Sequence, residues 1–233
     1  MQTVWIKRSA PTAEAVLVWA LGWAGSDELV RHRAVPEGCD LLCLFDYRTL
    51  PDAAETERLT ALLAPYRKRY LAAWSFGVWA AATLFGRTAL RWDAATAIGG
   101  TPRPVDDTYG IPKRAFAVTV RSIGSSGTGK FLERMCGTQE VLRAYYRHRS
   151  TRPLEEIYAE LVSLQRQAAG TGDPEPAPGF WTQAVVGGQD AIFPPENMER
   201  YWRAAGVPVV LRPSMPHYPF CDSELSDLLI PRG

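Results

Sequence analysis

Residues 15–21 read AVLVWAL, an unbroken apolar run that ends on Gly22-Trp23-Ala24-Gly25. A run of this length closed by glycine reads as a strand buried on both faces, as in a parallel sheet. Asp40–Tyr47 (DLLCLFDY), Tyr70–Ala73 (YLAA) and Ala94–Gly99 (AATAIG) repeat the pattern. Thr3–Lys7 alternates instead, as an edge strand does. Between these runs, Pro51–Tyr66 has helical spacing through Leu59, Leu62 and Leu63, with acids towards its start. VWAAATLF (Val78–Phe85) predicts a buried helix directly after the 70–73 strand. Further on, Phe180–Gly187 and Val207–Leu211 predict two more strands, Pro195–Ala205 a proline-led helix and Ser223–Leu229 a short closing one.

The alternation of strands and helices breaks once. From Pro112 to Gln167 the apolar positions recur at helical spacing: Phe131, Leu132, Met135; Val141, Leu142, Tyr145; Ile157, Leu161, Leu164. Gly170–Gly179 (GTGDPEPAPG) is a proline- and glycine-rich return. The pattern predicts an α/β fold with a mostly parallel sheet, formed by residues 1–111 and 171–233, and an inserted helical lid over 112–170. In such sheets the ligand site lies at the carboxyl ends of the strands. Gly22–Gly25, Asp46, Ser75 and Gly99–Thr101 all fall there.

Charge changes how the insertion is read. The whole chain of 233 residues is net +1, yet residues 113–152 hold nine bases and only two acids, a local +7 that leaves −6 elsewhere. One account is a solvated helical face; the other is a docking surface for an acidic partner. Near-neutral overall charge does not mark the chain as a nucleic-acid or membrane binder. The 15–21 run is too short to span a bilayer. Lys7 and Arg8 ahead of it could mimic a signal peptide, but Pro11, Glu14 and the polar start favour a first core strand. Cys39, Cys43, Cys136 and Cys221 lack CxxC pairing and read as free thiols in a reducing cytoplasm. No Cys/His cluster predicts a metal site, and no cofactor is expected.

The chemistry starts at Ala73-Trp74-Ser75-Phe76-Gly77. A strand, a serine in a tight turn and then a helix is the setting of the nucleophile elbow, whose usual form is G-x-S-x-G. Alanine replaces the first glycine here and nearly meets the demand for little bulk around a strained serine. A hydroxyl nucleophile needs a base. His32 and His148 each lie in an RHR triplet, whereas His217 follows a predicted core strand. Asp190 follows the strand before that and could hold the imidazole in its working tautomer. The order Ser75, Asp190, His217 is that of the α/β-hydrolases. Asp46 and the pair Asp106-Asp107 are rival acids, although pairing with Arg48 is the simpler account of Asp46. The backbone N–H groups of Phe76 and Trp23 are the expected oxyanion donors. Gly124–Lys130 matches G-x-x-x-x-G-K, but Phe131 stands where a phosphate loop needs Ser or Thr, so a flexible loop is expected.

The chain resembles the BioG-type pimeloyl-acyl-carrier-protein methyl ester esterases. The resemblance rests on LGWAG (Leu21–Gly25), LFDY (Leu44–Tyr47), AAWSFGVWAA (Ala72–Ala81), DDTYGIP (Asp106–Pro112), FLERMCG (Phe131–Gly137), QDAIFPPENMERYW (Gln189–Trp202) and HYPF (His217–Phe220). It implies a cytoplasmic α/β-hydrolase that cleaves the methyl ester of pimeloyl-carrier protein for biotin synthesis, with Ser75, Asp190 and His217 as the triad. It also implies an acidic carrier as partner of the basic insertion, with Arg121, Arg134, Arg143 and Arg147 as docking residues. Trp23, Phe76 and Trp79 are expected along the acyl pocket, in a monomer that binds neither nucleic acid nor membrane. A general short-chain carboxylesterase, an acyl thioesterase and a non-catalytic hydrolase-like binding protein are the alternatives.

Overall fold

The apolar runs assemble side by side. In the computed structural model, which describes residues 1–9, 13–170, 174–223 and 225–230, seven strands form one sheet. They are β1 (Gln2–Lys7), β2 (Ala15–Ala20), β3 (Cys39–Phe45), β4 (Lys68–Trp74), β5 (Ala94–Ile98), β6 (Gln183–Gly187) and β7 (Val209–Arg212). Their order is β1-β3-β2-β4-β5-β6-β7. Every neighbouring pair is parallel except β1 with β3, so the alternating segment is an antiparallel edge. β3 and β5 are buried throughout, and β2 in all but its first residue, because helices cover the sheet and leave no face for solvent-exposed side chains.

Two strands start later than expected. Phe180 donates its N–H back to Ala177 O in a turn, so β6 starts at Gln183. Pro208 has no N–H to give a ladder, and β7 starts at Val209. Helices α1 (Glu28–Arg31), α2 (Ala53–Leu63) and α3 (Phe76–Phe85) connect the first strands. Glu28–Arg31 is a single turn, too short for a helical period to show in the sequence. Asp52 and Glu55 close a reciprocal capping box that starts α2.

Between β5 and β6 the chain runs through four helices: α4 (Lys113–Ser126), α5 (Gly129–Cys136), α6 (Gln139–His148) and α7 (Leu154–Gly170). The return segment expected over 170–179 falls partly on 171–173, outside the described residues. The last helices, α8 (Pro195–Ala204) and α9 (Leu225–Leu229), pack on β6 and β7 and on β4 and β5 respectively. The Gly124–Lys130 segment is not a flexible loop. Its first half finishes α4, and after one turn at Gly127-Thr128 its second half begins α5. A phosphate loop needs its run of backbone N–H groups turned into an open cradle, and here those of residues 124–127 are used within and at the end of α4.

A buried ionic knot anchors the inserted helices over the sheet. Fully buried Glu160 of α7 accepts the Tyr47 N–H at 2.8 Å and the Ala24 N–H at 3.3 Å. Arg152 Nη1 donates to Glu160 at 2.8 Å, and its Nη2 lies 3.1 Å from Asp46, an ion-pair contact without hydrogen-bond alignment. Burial pushes the Glu160 carboxyl above its ordinary range, and Arg152 works against that rise. Trp23 adds a neutral tie, donating its indole N–H to Ile157 O at 2.6 Å. Arg152 therefore belongs to the interior, and the insertion shows the solvent fewer charges than its composition implies.

Candidate active site

β4 ends in a row of small residues. Ala73 stands in register between Ala20 of β2 and Ala97 of β5. Methyl groups on all three strands leave room for the sharp turn that follows, which is why alanine serves where glycine is usual. Ser75 sits in that turn with φ 58° and ψ −127°, a conformation that non-glycine residues rarely adopt. Its N–H donates to Ile98 O at 2.9 Å, and its carbonyl accepts the Val78 N–H at 3.0 Å. Gly22 and Gly100 permit the fold to close on it. A Cβ at Gly22 would meet Ser75 Cβ at 2.9 Å, and one at Gly100 would meet the Ser75 carbonyl oxygen at 2.6 Å.

The loops after β6 and β7 bring two side chains to this serine. His217 Nε2 lies 3.0 Å from Ser75 Oγ, and His217 Nδ1 lies 2.8 Å from Asp190 Oδ2. The other Asp190 oxygen accepts the N–H groups of Ile192 and Phe193, both at 2.8 Å. With those bonds fixing the carboxylate, Nδ1–H is given to Asp190 and Nε2 turns its lone pair to the serine hydroxyl. All three residues are buried, His217 at 3% exposure. The Phe193 ring stacks on the imidazole at 5.8 Å. Trp74 donates its indole N–H to the His217 carbonyl at 2.9 Å. Low polarity around such a relay strengthens each hydrogen bond in it.

The rival acids are engaged elsewhere. Asp46 holds Arg48 through bonds of 2.9 and 2.6 Å. Asp106 accepts the N–H groups of Thr108 and Tyr109, and Asp107 that of Lys113. The Trp23 and Phe76 N–H groups donate to no acceptor among the described residues, and the Gly22-Trp23 turn touches Ser75. They are available to an oxygen above the serine.

A chamber of about 30 Å³ opens over Ser75 and His217. Its walls come from the core (Trp23, Trp74, Phe76) and from the insertion (Phe116, Phe131, Met135). Trp79, expected on this wall, is a correction. One turn beyond Phe76 it is fully buried in the sheet–helix core and does not line the chamber. Trp74 lines it instead. Its part in holding the histidine loop has no signal in the sequence, because a tryptophan ahead of the serine carries no motif for that contact. Phe131 and Met135 were legible as apolar helix positions, but not as chamber walls.

The four arginines scatter. Arg134 lies on the chamber rim, where its guanidinium donates to Ala191 O at 2.6 Å. Arg143 and Arg147 line a separate cleft of about 460 Å³ with His32 and His148, whose rings stack at 3.6 Å. Arg121 is exposed on α4. All four cysteines are free, and burial raises the Cys39 thiol to about 11 and that of Cys136 to about 12, so neither is a ready nucleophile. Among the described residues no three His, Cys, Asp or Glu side chains gather as a metal site, and no helix is long and apolar enough to cross a membrane.

A family model described as "Pimeloyl-ACP methyl esterase BioG" matches residues 1–221. The crystal structure of BioG from Haemophilus influenzae superposes with a TM-score of 0.81 at 31% identity, covering 95% of each chain. A carboxylesterase of the thaumarchaeon Nitrososphaera gargenis superposes with a TM-score of 0.64 at 13% identity, over 97% of this chain and 92% of that one, which is a likeness of fold. A Bacteroides fragilis protein named malonyl-[acyl-carrier protein] O-methyltransferase is 36% identical over 83% of this chain. The chain spans only 37% of that relative's length. The solved neighbours place the sheet and its covering helices among the α/β-hydrolases.

Proposed function

We infer the reaction from the premise that the chain belongs to the BioG family of pimeloyl-ACP methyl esterases, which has the α/β-hydrolase fold. Our reading is a serine esterase that removes the methyl group from the methyl ester of pimeloyl-[acyl-carrier protein]. The observation that carries it is the buried relay from Asp190 through His217 to Ser75, at the floor of an apolar chamber.

Ser75 Oγ attacks the ester carbonyl carbon while His217 Nε2 takes the hydroxyl proton. The carbonyl oxygen gathers negative charge and is met by the free N–H groups of Trp23 and Phe76. As the tetrahedral adduct collapses, the C–O bond to the methoxy group breaks, and His217 gives its proton to the departing methoxide. Methanol leaves and Ser75 holds the acyl group. Water then gives a proton to His217, its oxygen attacks the acyl carbon, and the proton passes to Ser75 Oγ as the C–O bond to the serine breaks and the free acid is released, losing its remaining proton to solvent. Asp190 stays ionised and steadies the imidazolium in both halves.

Because the reacting ester lies at the end of the acyl chain remote from the carrier, the carrier stays outside while the methyl end reaches Ser75. The basic insertion supports an acidic carrier as partner, with Arg121, Arg134, Arg143 and Arg147 on its exposed side. The Bacteroides relative is named for adding a methyl group to carrier-bound malonate, and the esterase reading is the matching removal. That transferase activity is not carried over, since the chain spans 37% of that protein. The discriminating experiment compares kcat/KM for the pimeloyl-carrier methyl ester, the pimeloyl-carrier thioester and a short free methyl ester. Preference for the first supports this reading. Preference for the free ester favours a general carboxylesterase, cleavage of the thioester a thioesterase, and no reaction of Ser75 with a fluorophosphonate a binding protein.

A further inference from the structure

The chamber over Ser75 is too small for a seven-carbon acyl chain, so the rest of that chain must lie elsewhere. A groove of about 380 Å³ shares Trp23, Trp74, Phe131 and Met135 with the chamber. Trp23 meets Phe131 edge-on, with ring centroids 4.9 Å apart, at this shared wall. Trp23 is held by its hydrogen bond to Ile157 O. Phe131 is only half-buried, near the start of the eight-residue α5. The movable half of the wall is therefore Phe131.

Past that wall the lining also draws on Leu132 and Tyr145, on Thr128, on Thr151, whose hydroxyl donates to Glu28 at 2.8 Å, and on Arg149. Arg149 is exposed, its guanidinium lies 5.2 Å over the Tyr146 ring, and it has no ion pair among the described residues. Arg152, the other cation of the groove, is committed to Asp46 and Glu160. The cleft with Arg143 and Arg147 shares no lining residue with the Ser75 chamber, so it offers no way in.

We infer that the groove between α5, the 149–154 segment and the Gly25 turn is the entry channel for the substrate's arm, gated by Phe131 against Trp23. The inference rests on the carrier-ester reading above. A carrier presents its acyl group on a thread that is apolar at the acyl end, amide-bearing along its middle and anionic at the phosphate where it joins the carrier. The groove offers apolar walls next to the chamber, polar side chains at Thr128 and Thr151 for the amides and Arg149 for the phosphate. Arg149 is thereby a binding residue for the arm rather than a general surface charge.

Two tryptophan substitutions test the channel away from the relay. Thr128 makes no side-chain capping bond, so Thr128→Trp fills the groove without removing a cap. Leu154 is 48% exposed, and Leu154→Trp fills it from α7. The measurement is the ratio of kcat/KM for pimeloyl-carrier methyl ester to that for free methyl butyrate, in wild type and both variants. The expected result is a fall of about tenfold or more in that ratio for each variant, because only the tethered substrate needs the groove. A ratio unchanged in both overturns the channel, whatever happens to either rate alone. Wild type that hydrolyses methyl butyrate and ignores the carrier ester would instead refute the substrate reading itself.

Discussion

Trp74, the residue before the candidate nucleophile, donates its indole N–H to the backbone carbonyl of His217 at 2.9 Å. The elbow strand thus grips the loop that delivers its own base, across 143 residues of chain. Strand β4, the turn at Ser75 and the loop after β7 are tied together through this bond. Trp74→Phe keeps the ring and removes the donor. A buried hydrogen bond of this kind contributes about 1 kcal/mol, so kcat for a short methyl ester should fall about fivefold with KM little changed. A loss expressed only in KM would mean that Trp74 acts as a pocket wall and not through His217.

Gly22 lies so close to Ser75 that a Cβ there would come within 3.3 Å of the hydroxyl oxygen and 2.9 Å of Ser75 Cβ. Gly22→Ala should displace the serine and the neighbouring Trp23 N–H together. Rates in enzymes of this geometry fall by about 10²-fold for shifts near an ångström. The check is kcat on the short ester beside a melting curve. A loss of activity far larger than the loss of stability is expected.

The Asp46 carboxyl sits between Arg48 and Arg152. Burial opposes its ionisation, but the Arg48 hydrogen bonds and the Arg152 charge outweigh that and hold it below its ordinary range. As pH falls, the unfolded chain therefore takes up the proton first. The stabilisation is complete at neutral pH and drains away below about pH 4, towards the lower folded-state value. Asp46→Asn suits the positive φ of 60° at this position and should cost about 1–3 kcal/mol at neutral pH. Measured by denaturant unfolding, the gap between wild type and variant should narrow on acidification. A constant gap would contradict the ionic account.

Arg143 and Arg147 stand side by side on α6, one turn apart. If the carrier docks there, reversing both charges should raise KM for the carrier-bound ester about tenfold at low salt, with a smaller effect at high salt. The free ester supplies the control. Equal effects on both substrates would remove α6 from the docking face.

Much of the fold is written in the hydrophobic pattern, since a strand buried on both faces must be apolar throughout and a covering helix must repeat near every third or fourth residue. The relay was legible because Asp190 and His217 each follow such a strand at the site's end of the sheet. What the pattern could not carry was side-chain direction. Trp79 lies one turn from Phe76, yet it is buried in the core away from the chamber. Arg152 counts as a positive charge in composition and is spent on Glu160, a partner that only the fold brings near. The Gly124–Lys130 stretch has loop composition, but it lies at the junction of two helices whose apolar faces decide its shape. The Trp23–Phe131 wall joins residues 108 positions apart and has no local signature at all.

Ser75 is the centre of the proposed chemistry. The measurement that tests it most directly is methanol release from the pimeloyl-carrier methyl ester by purified wild type and Ser75→Ala, with melting curves to show that both are folded. Wild type should release methanol stoichiometrically with free carboxylate, and the variant should be slower by about 10³-fold or more. A folded Ser75→Ala protein releasing methanol at the wild-type rate would contradict the account.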